Sequence, residues 1–185
     1  MTGDPMAPSI LAGVRFGHLV SHGDVRGTFT ELWRASRATE DAPFVQANLS
    51  TSSAGVLRGL HVHLRQLDYW VVLGGRAFVA LVDARGPIGG SAPAATVETR
   101  ELAPFDWVDI PAGVAHGFLA LEPLQLLYLV TNEYDGSDEL GFAWDDPAVA
   151  VPWPALRATA DGRPIVSERD ATNPSLAELV ARLRS

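Results

Sequence analysis

The stretch GVLRGLHVHLRQLDYWVVLGG, residues 55 to 75, places two histidines and an aspartate inside one strand-loop-strand passage. Residues two apart on a strand point to the same face, so His61 and His63 project together. Gly55 lies six residues before His61, Asp68 five after His63, and Gly75 seven beyond that. A histidine pair of this kind serves acid–base chemistry, holds a metal ion or simply sits in solvent.

Outward from this passage the chain is written in short apolar runs separated by Gly, Pro and Asp. FVQANLSTS, DYWVVL and RAFVALVDA read as strands, the last two joined at Gly74-Gly75 as an expected hairpin. RGPIGGSAPA reads as a loop, and ATVETREL, DWVDIPA, HGFLALE and LQLLYLVTNEY continue the strands. Strands so spaced suggest a sandwich or small barrel. Residues 144–170, rich in Pro and Asp, read as ordered loop wrapping the barrel. TNPSLAELVARLRS then offers one short amphipathic helix, with Asn173 as N-cap, Pro174 at the first helical position, and Leu176, Leu179, Val180 and Leu183 on one face. No internal repeat or linker divides the 185 residues, which suit a single domain, 1–185.

Composition removes several classes of function. Hydrophobic residues make up 47% and charged residues 19%, a globular balance. The net charge of −8 comes with no basic cluster, which argues against a nucleic-acid partner. No apolar run reaches the roughly 20 residues of a membrane helix, and MTGDPMAPSILAG lacks the pattern of a signal peptide. The expected setting is cytoplasmic. The absence of cysteine excludes disulfides, thiolate metal sites and Cys nucleophiles. All 14 basic residues are Arg, so Schiff-base chemistry on a lysine is excluded as well.

The spacing G-x5-HxH-x4-D-x6-G resembles the first motif of the cupins, with Asp68 in place of the usual Glu. PAGVAHGF resembles part of the second, through Pro111, Gly113 and His116, while Phe105 and Ala120 occupy its glycine and asparagine places. The resemblance implies an all-β fold, a cupin jelly-roll β-barrel with the short C-terminal helix.

Six further segments narrow the family: DVRGTFTE (24–31), FVQANLSTSSAGVLRGLH (44–61), IPAGVAHGF (110–118), LLYLVTNEYDGSDELGFAWDDP (126–147), VPWP (151–154) and PIVSERDATNP (164–174). In this order they resemble the dTDP-4-dehydrorhamnose 3,5-epimerase family, from about residue 14 to 180. The resemblance implies inversion of carbons next to a C4 ketone in a dTDP-linked 4-keto-6-deoxyhexose. Such chemistry needs a base, a stabiliser for the enolate and an acid on the opposite face. By resemblance the base is His61, held by Asp170, and the acid is Tyr134, with Tyr128 nearby. Arg26, Phe29, Glu31, Gln46, Asn48, Arg58, His116 and Arg169 match substrate-binding positions. Arginine forks suit a diphosphate, and an aromatic ring can stack on thymine. The resemblance also implies a homodimer and no cofactor.

The pattern departs from the family at two positions of this passage. The family's lysine, which supports the C4 oxygen, falls on Asp68, and a common glutamine two residues after the base is His63. A carboxylate beside a developing enolate opposes the usual chemistry. Three readings stay open. Arg65 or Arg58 takes the lysine's role; or His61, His63, Asp68 and His116 bind one divalent metal as a Lewis acid; or the protein binds a nucleotide sugar without turning it over. The first two compete for His61, because a nitrogen bound to metal cannot accept a proton.

Overall fold

A computed structural model describes residues 6–37, 43–155, 159 and 161–185. Twelve strands run β1 (Arg15–His18), β2 (Ser21–Asp24), β3 (Gly27–Thr30), β4 (Gln46–Ser52), β5 (Leu57–Val62), β6 (Asp68–Gly74), β7 (Ala77–Asp83), β8 (Thr96–Leu102), β9 (Asp106–Ile110), β10 (Val114–Ala120), β11 (Leu124–Val130) and β12 (Leu140–Gly141). One five-stranded antiparallel sheet has the order β1-β9-β6-β11-β4, a second has β12-β5-β10-β7-β8, and β2–β3 form a separate hairpin. The two sheets face each other as a cupin jelly roll.

Alternation along the strands decides what lies between the sheets. Trp70 and Val72 of β6, Val79 and Leu81 of β7, and Leu126 of β11 meet in the central core. Ala80 and Val82, on the opposite face of β7, pack with Leu60, Val62 and Phe142 beneath the C-terminal helix. Phe142 is fully buried and its backbone N–H donates to Leu60 O. Phe142→Ala is expected to cost about 3–5 kcal/mol through the lost contact and the cavity left behind. A denaturant midpoint unchanged by the substitution would contradict that packing.

Two expectations from the sequence are corrected here. The Gly74-Gly75 pair does not turn a hairpin, because β6 and β7 lie in different sheets. Gly75 instead carries the chain across, at φ +77° with Pro123 O only 2.1 Å from where a Cβ would sit, so it accepts no side chain. The helix starts later than Asn173 and Pro174 suggested. Ser175 is the N-cap of α3 (Leu176–Arg184), with a full capping box to Glu178. Leu176 N–H also donates to the buried Asp146 carboxylate at 2.7 Å, pinning α3 to the barrel.

The expected loop at 85–94 begins with a short helix, α1 (Arg85–Gly89). The expected loop of 144–170 ends in another, α2 (Glu168–Ala171), while its residues 156–158 and 160 lie outside the described ones. Phe105, in the glycine place of the second cupin motif, keeps a left-handed backbone at φ +72°. Its N–H donates to Val72 O and its carbonyl accepts from Leu19 N–H. These bonds and packing against the cluster of Leu19, Tyr69 and Val71 offset the roughly 1–2 kcal/mol steric cost of that conformation. No described helix is long and apolar enough to cross a membrane.

Candidate active site

A cavity of about 470 Å³ opens between the sheets, within the roughly 300–1,000 Å³ common for small-molecule sites. β5 and β10 pair with His61 opposite His116, while β4 and β11 pair with Asn48 opposite Tyr128. Both sheets therefore send side chains into one space. Gln46, Asn48, Arg58, His61, His116, Tyr128, Tyr134, Arg169 and Asp170 all line it, as do His63 and Asp68.

At its centre, His61 Nε2 meets Asp170 Oδ1 at 2.7 Å. A carboxylate can only accept, so that nitrogen carries the proton and Nδ1 keeps the lone pair. Asp170 is fixed in turn. Gly59 N–H donates to its Oδ2 at 3.3 Å, and its own N–H donates to the Ser167 hydroxyl that caps α2. Glycine is required at position 59, where φ is +118° and a Cβ would stand 2.7 Å from Gly117 Cα. Burial pushes the Asp170 carboxyl up, but the hydrogen bond and charge of His61, aided by Gly59 and Ser167, hold it below the ordinary value. It stays ionised.

His116 is buried, and its Nδ1 lies 3.3 Å from Val114 O. Burial, then the nearby His63 and His61, push its pKa well below the ordinary value, so the ring is neutral. Tyr134 is 68% exposed at the cavity mouth, and its N–H donates to Gln46 Oε1. A hydrogen bond to Glu139, and then that carboxylate's charge, raise its phenol pKa and keep it protonated. Tyr128 is raised chiefly by burial and then by Asp68. Arg58 donates to the Ser52 hydroxyl, and Arg169 pairs with Glu139 at 2.6 Å.

Arg26, Phe29 and Glu31 stand apart from this cavity. They lie on or beside the β2–β3 hairpin, with Phe29 69% exposed, Arg26 paired to Asp24 and Glu31 to Arg34. Arg65 is likewise no stand-in for the missing lysine. Its guanidinium turns to Ser137 and Asp138, outside the cavity. The four-residue metal set is also corrected. The ligand atoms of His63, Asp68 and His116 lie within 4.8 Å of one another, and His61 is not part of that group.

Sequence reasoning missed Trp70, Gln66 and Glu139. Trp70 packs edge-on against the His116 ring at 5.0 Å, and Gln66 donates to Asp68 Oδ2 at 3.1 Å. Both fall in the quoted 55–75 stretch, where inward alternation from Asp68 points to Trp70. Glu139 joins Tyr134 to Arg169, a link made by folding and unmarked by local spacing.

A family model described as dTDP-4-dehydrorhamnose 3,5-epimerase matches residues 9–178. The chain belongs to that family. A relative of the same description from Sinorhizobium fredii is 35% identical over 167 residues, 85% of this chain and 82% of the relative. Among solved structures, the rmlC epimerase of Mycobacterium tuberculosis superposes with a TM-score of 0.83 at 30% identity, covering 98% of this chain and 91% of that one. ChmJ, a 3'-monoepimerase from Streptomyces bikiniensis in complex with dTDP-quinovose, gives 0.81 at 29% identity, covering 97% and 91%. For this epimerase-family chain, the match runs through both sheets and the His61–Asp170 pair.

Proposed function

We propose that the protein is an epimerase of dTDP-linked 4-keto-6-deoxyhexoses, acting at C3, C5 or both. The observation that carries this is the His61–Asp170 hydrogen bond, which leaves Nδ1 of His61 with a free lone pair inside the cavity. His61 removes the proton from a carbon next to the ketone, and the carbon–hydrogen pair becomes the enolate. Tyr134, kept protonated by Glu139, then gives its hydroxyl proton to that carbon from the other face. Only protons move, so the balance calls for no redox cofactor. Arg58 and Arg169 supply positive charge for the diphosphate and the enolate, and Gln46 and Asn48 supply hydrogen bonds to the nucleotide. A charged, membrane-impermeant substrate supports a cytoplasmic setting for the protein.

The exposed Arg26, Phe29 and Glu31 fit this reading if a second copy of the chain, one domain like the first, brings its hairpin to the cavity. The outer face of the β1-β9-β6-β11-β4 sheet is apolar, with Leu127, Leu129 and Trp107 half-buried and Leu49 60% exposed. We place the homodimer contact there. Leu49→Glu is expected to weaken the dimer roughly 30-fold, the effect of losing a hot-spot contact of about 2 kcal/mol. Light scattering on a dilution series reads it, and a wild-type monomer at all concentrations would remove the dimer.

The deciding experiment is deuterium incorporation from D2O into dTDP-4-keto-6-deoxyglucose. Exchange at C3 or C5 supports the reading and identifies the carbon. No exchange, with or without added divalent metal, would remove it for this sugar.

A further inference from the structure

His63, Asp68 and His116 form a group that the proposed proton transfers do not use. His63 Nδ1 lies 2.7 Å from the backbone carbonyl of Asp138, and His116 Nδ1 lies 3.3 Å from that of Val114. A carbonyl oxygen only accepts, so both Nδ1 atoms carry protons. In a neutral ring anchored this way the lone pair is on Nε2. His63 Nε2 stands 3.9 Å from Asp68 Oδ2, and the three side chains' ligand atoms converge within 4.8 Å.

Two nitrogen lone pairs and a carboxylate thus point at one another deep in the cavity, with Asp68 and His116 buried. Acceptors gathered this way repel unless positive charge sits among them. No arginine side chain pairs with Asp68 among the described residues. Its neighbours are the Gln66 amide, which donates to it, and the Trp70 indole. Imidazoles anchored by backbone carbonyls through one nitrogen, with the other free, are the usual setting of metal-binding histidines.

We infer that His63, Asp68 and His116 bind a divalent first-row transition metal, with the remaining coordination positions open to the cavity. Two imidazoles and one carboxylate suit Fe, Co, Ni, Mn or Zn. With ligand atoms about 2.1 Å from the metal, neighbouring ligands stand about 3 Å apart and opposed ones about 4.2 Å. The present spacing therefore has to contract by roughly 1 Å, which rotation of the half-buried His63, just past the end of β5, supplies. His61 takes no part, because the group of converging ligand atoms does not include it. A bound metal and a histidine base therefore coexist in one cavity. The metal would bring to this end of the site the positive charge that a lysine-free chain otherwise lacks there. The inference stands whether or not the protein is an epimerase.

The test is titration of chelator-stripped protein with Co(II), read by its visible d–d absorption and by equilibrium dialysis. One Co(II) per chain is expected, with a spectrum of nitrogen and oxygen ligation. Asp68→Asn and His116→Gln are expected to weaken binding by about 100-fold or more, with circular dichroism confirming that each folds. His61→Asn is expected to bind as wild type. Absence of a Co(II) spectrum in the wild type would overturn the site, leaving a proton to neutralise the cluster. Binding lost in His61→Asn but kept in His116→Gln would overturn the ligand set. Because every readout is binding, failure here leaves the exchange result untouched, and failure of exchange leaves this result untouched.

Discussion

His61→Ala is expected to lower deuterium exchange into dTDP-4-keto-6-deoxyglucose by about 10²- to 10⁴-fold, the range for removing a positioned general base. Binding of dTDP should change little, because Gln46 and Asn48, proposed above to contact the nucleotide, sit on β4, in the other sheet. The side chain is partly exposed to the cavity, so its removal leaves a space that free imidazole can enter. Added imidazole should restore part of the exchange, and restoration should follow the fraction of neutral imidazole as pH changes. Exchange at the wild-type rate in His61→Ala would end its assignment as base. A parallel loss of dTDP affinity would instead make it a binding residue.

Asp170→Asn is the second large effect, and the more diagnostic one. The carboxylate accepts from His61 Nε2 and from Gly59 N–H, so it dictates which imidazole nitrogen carries the proton. An asparagine of the same shape can present its amide N–H₂ to Nε2. That would move the ring proton to Nδ1 and remove the lone pair that faces the substrate. By analogy with the wrong-tautomer variant of a serine protease, kcat should fall by about 10²- to 10⁴-fold with KM nearly unchanged. Nitrogen-15 spectra of the imidazole would report the tautomer directly. Full activity in Asp170→Asn would show that orientation of His61 does not limit the rate.

The same carboxylate ties stability to pH. Its folded pKa is depressed, against the opposing push of burial, by His61, Gly59 and Ser167. Its contribution to stability is therefore complete above the unfolded value of about 3.9. It is lost as pH falls through the lower folded value. In Asp170→Asn this part of the acid-side loss of stability should disappear from denaturant midpoints measured across that range.

Much of the site was legible because a strand's two-residue period converts spacing into direction. His61 and His63 were read from one alternation, His116 from a short Pro-Gly-His spacing, and all three line the cavity. What stayed hidden depends on contacts distant in sequence. Gly74-Gly75 has the local look of a hairpin, yet β6 pairs with β9 and β11 and β7 with β8 and β10, so the glycines bridge sheets. The tautomer of His61 is decided by a residue 109 positions away. Arg65 sits close to the histidines in sequence, but Ser137 and Asp138 turn it outward. The helix start was a misreading of available signal, since Ser-Leu-Ala-Glu at 175–178 spells a capping box that outranks Asn173.

The bond between His61 and Asp170 also sets a calendar for the emerging chain. Every strand of both sheets precedes residue 142, and the carboxylate is supplied only later, by α2. A nascent polypeptide can thus pair the strands of its barrel while the cavity still lacks Ser167, Arg169 and Asp170 and the imidazole is without a fixed tautomer. On the proposed roles of His61 and Asp170, catalytic competence arrives as a late event of synthesis. A ribosome-stalled chain with Arg163 as its last exposed residue should show barrel structure and be chemically silent, and release of a few more residues should switch it on.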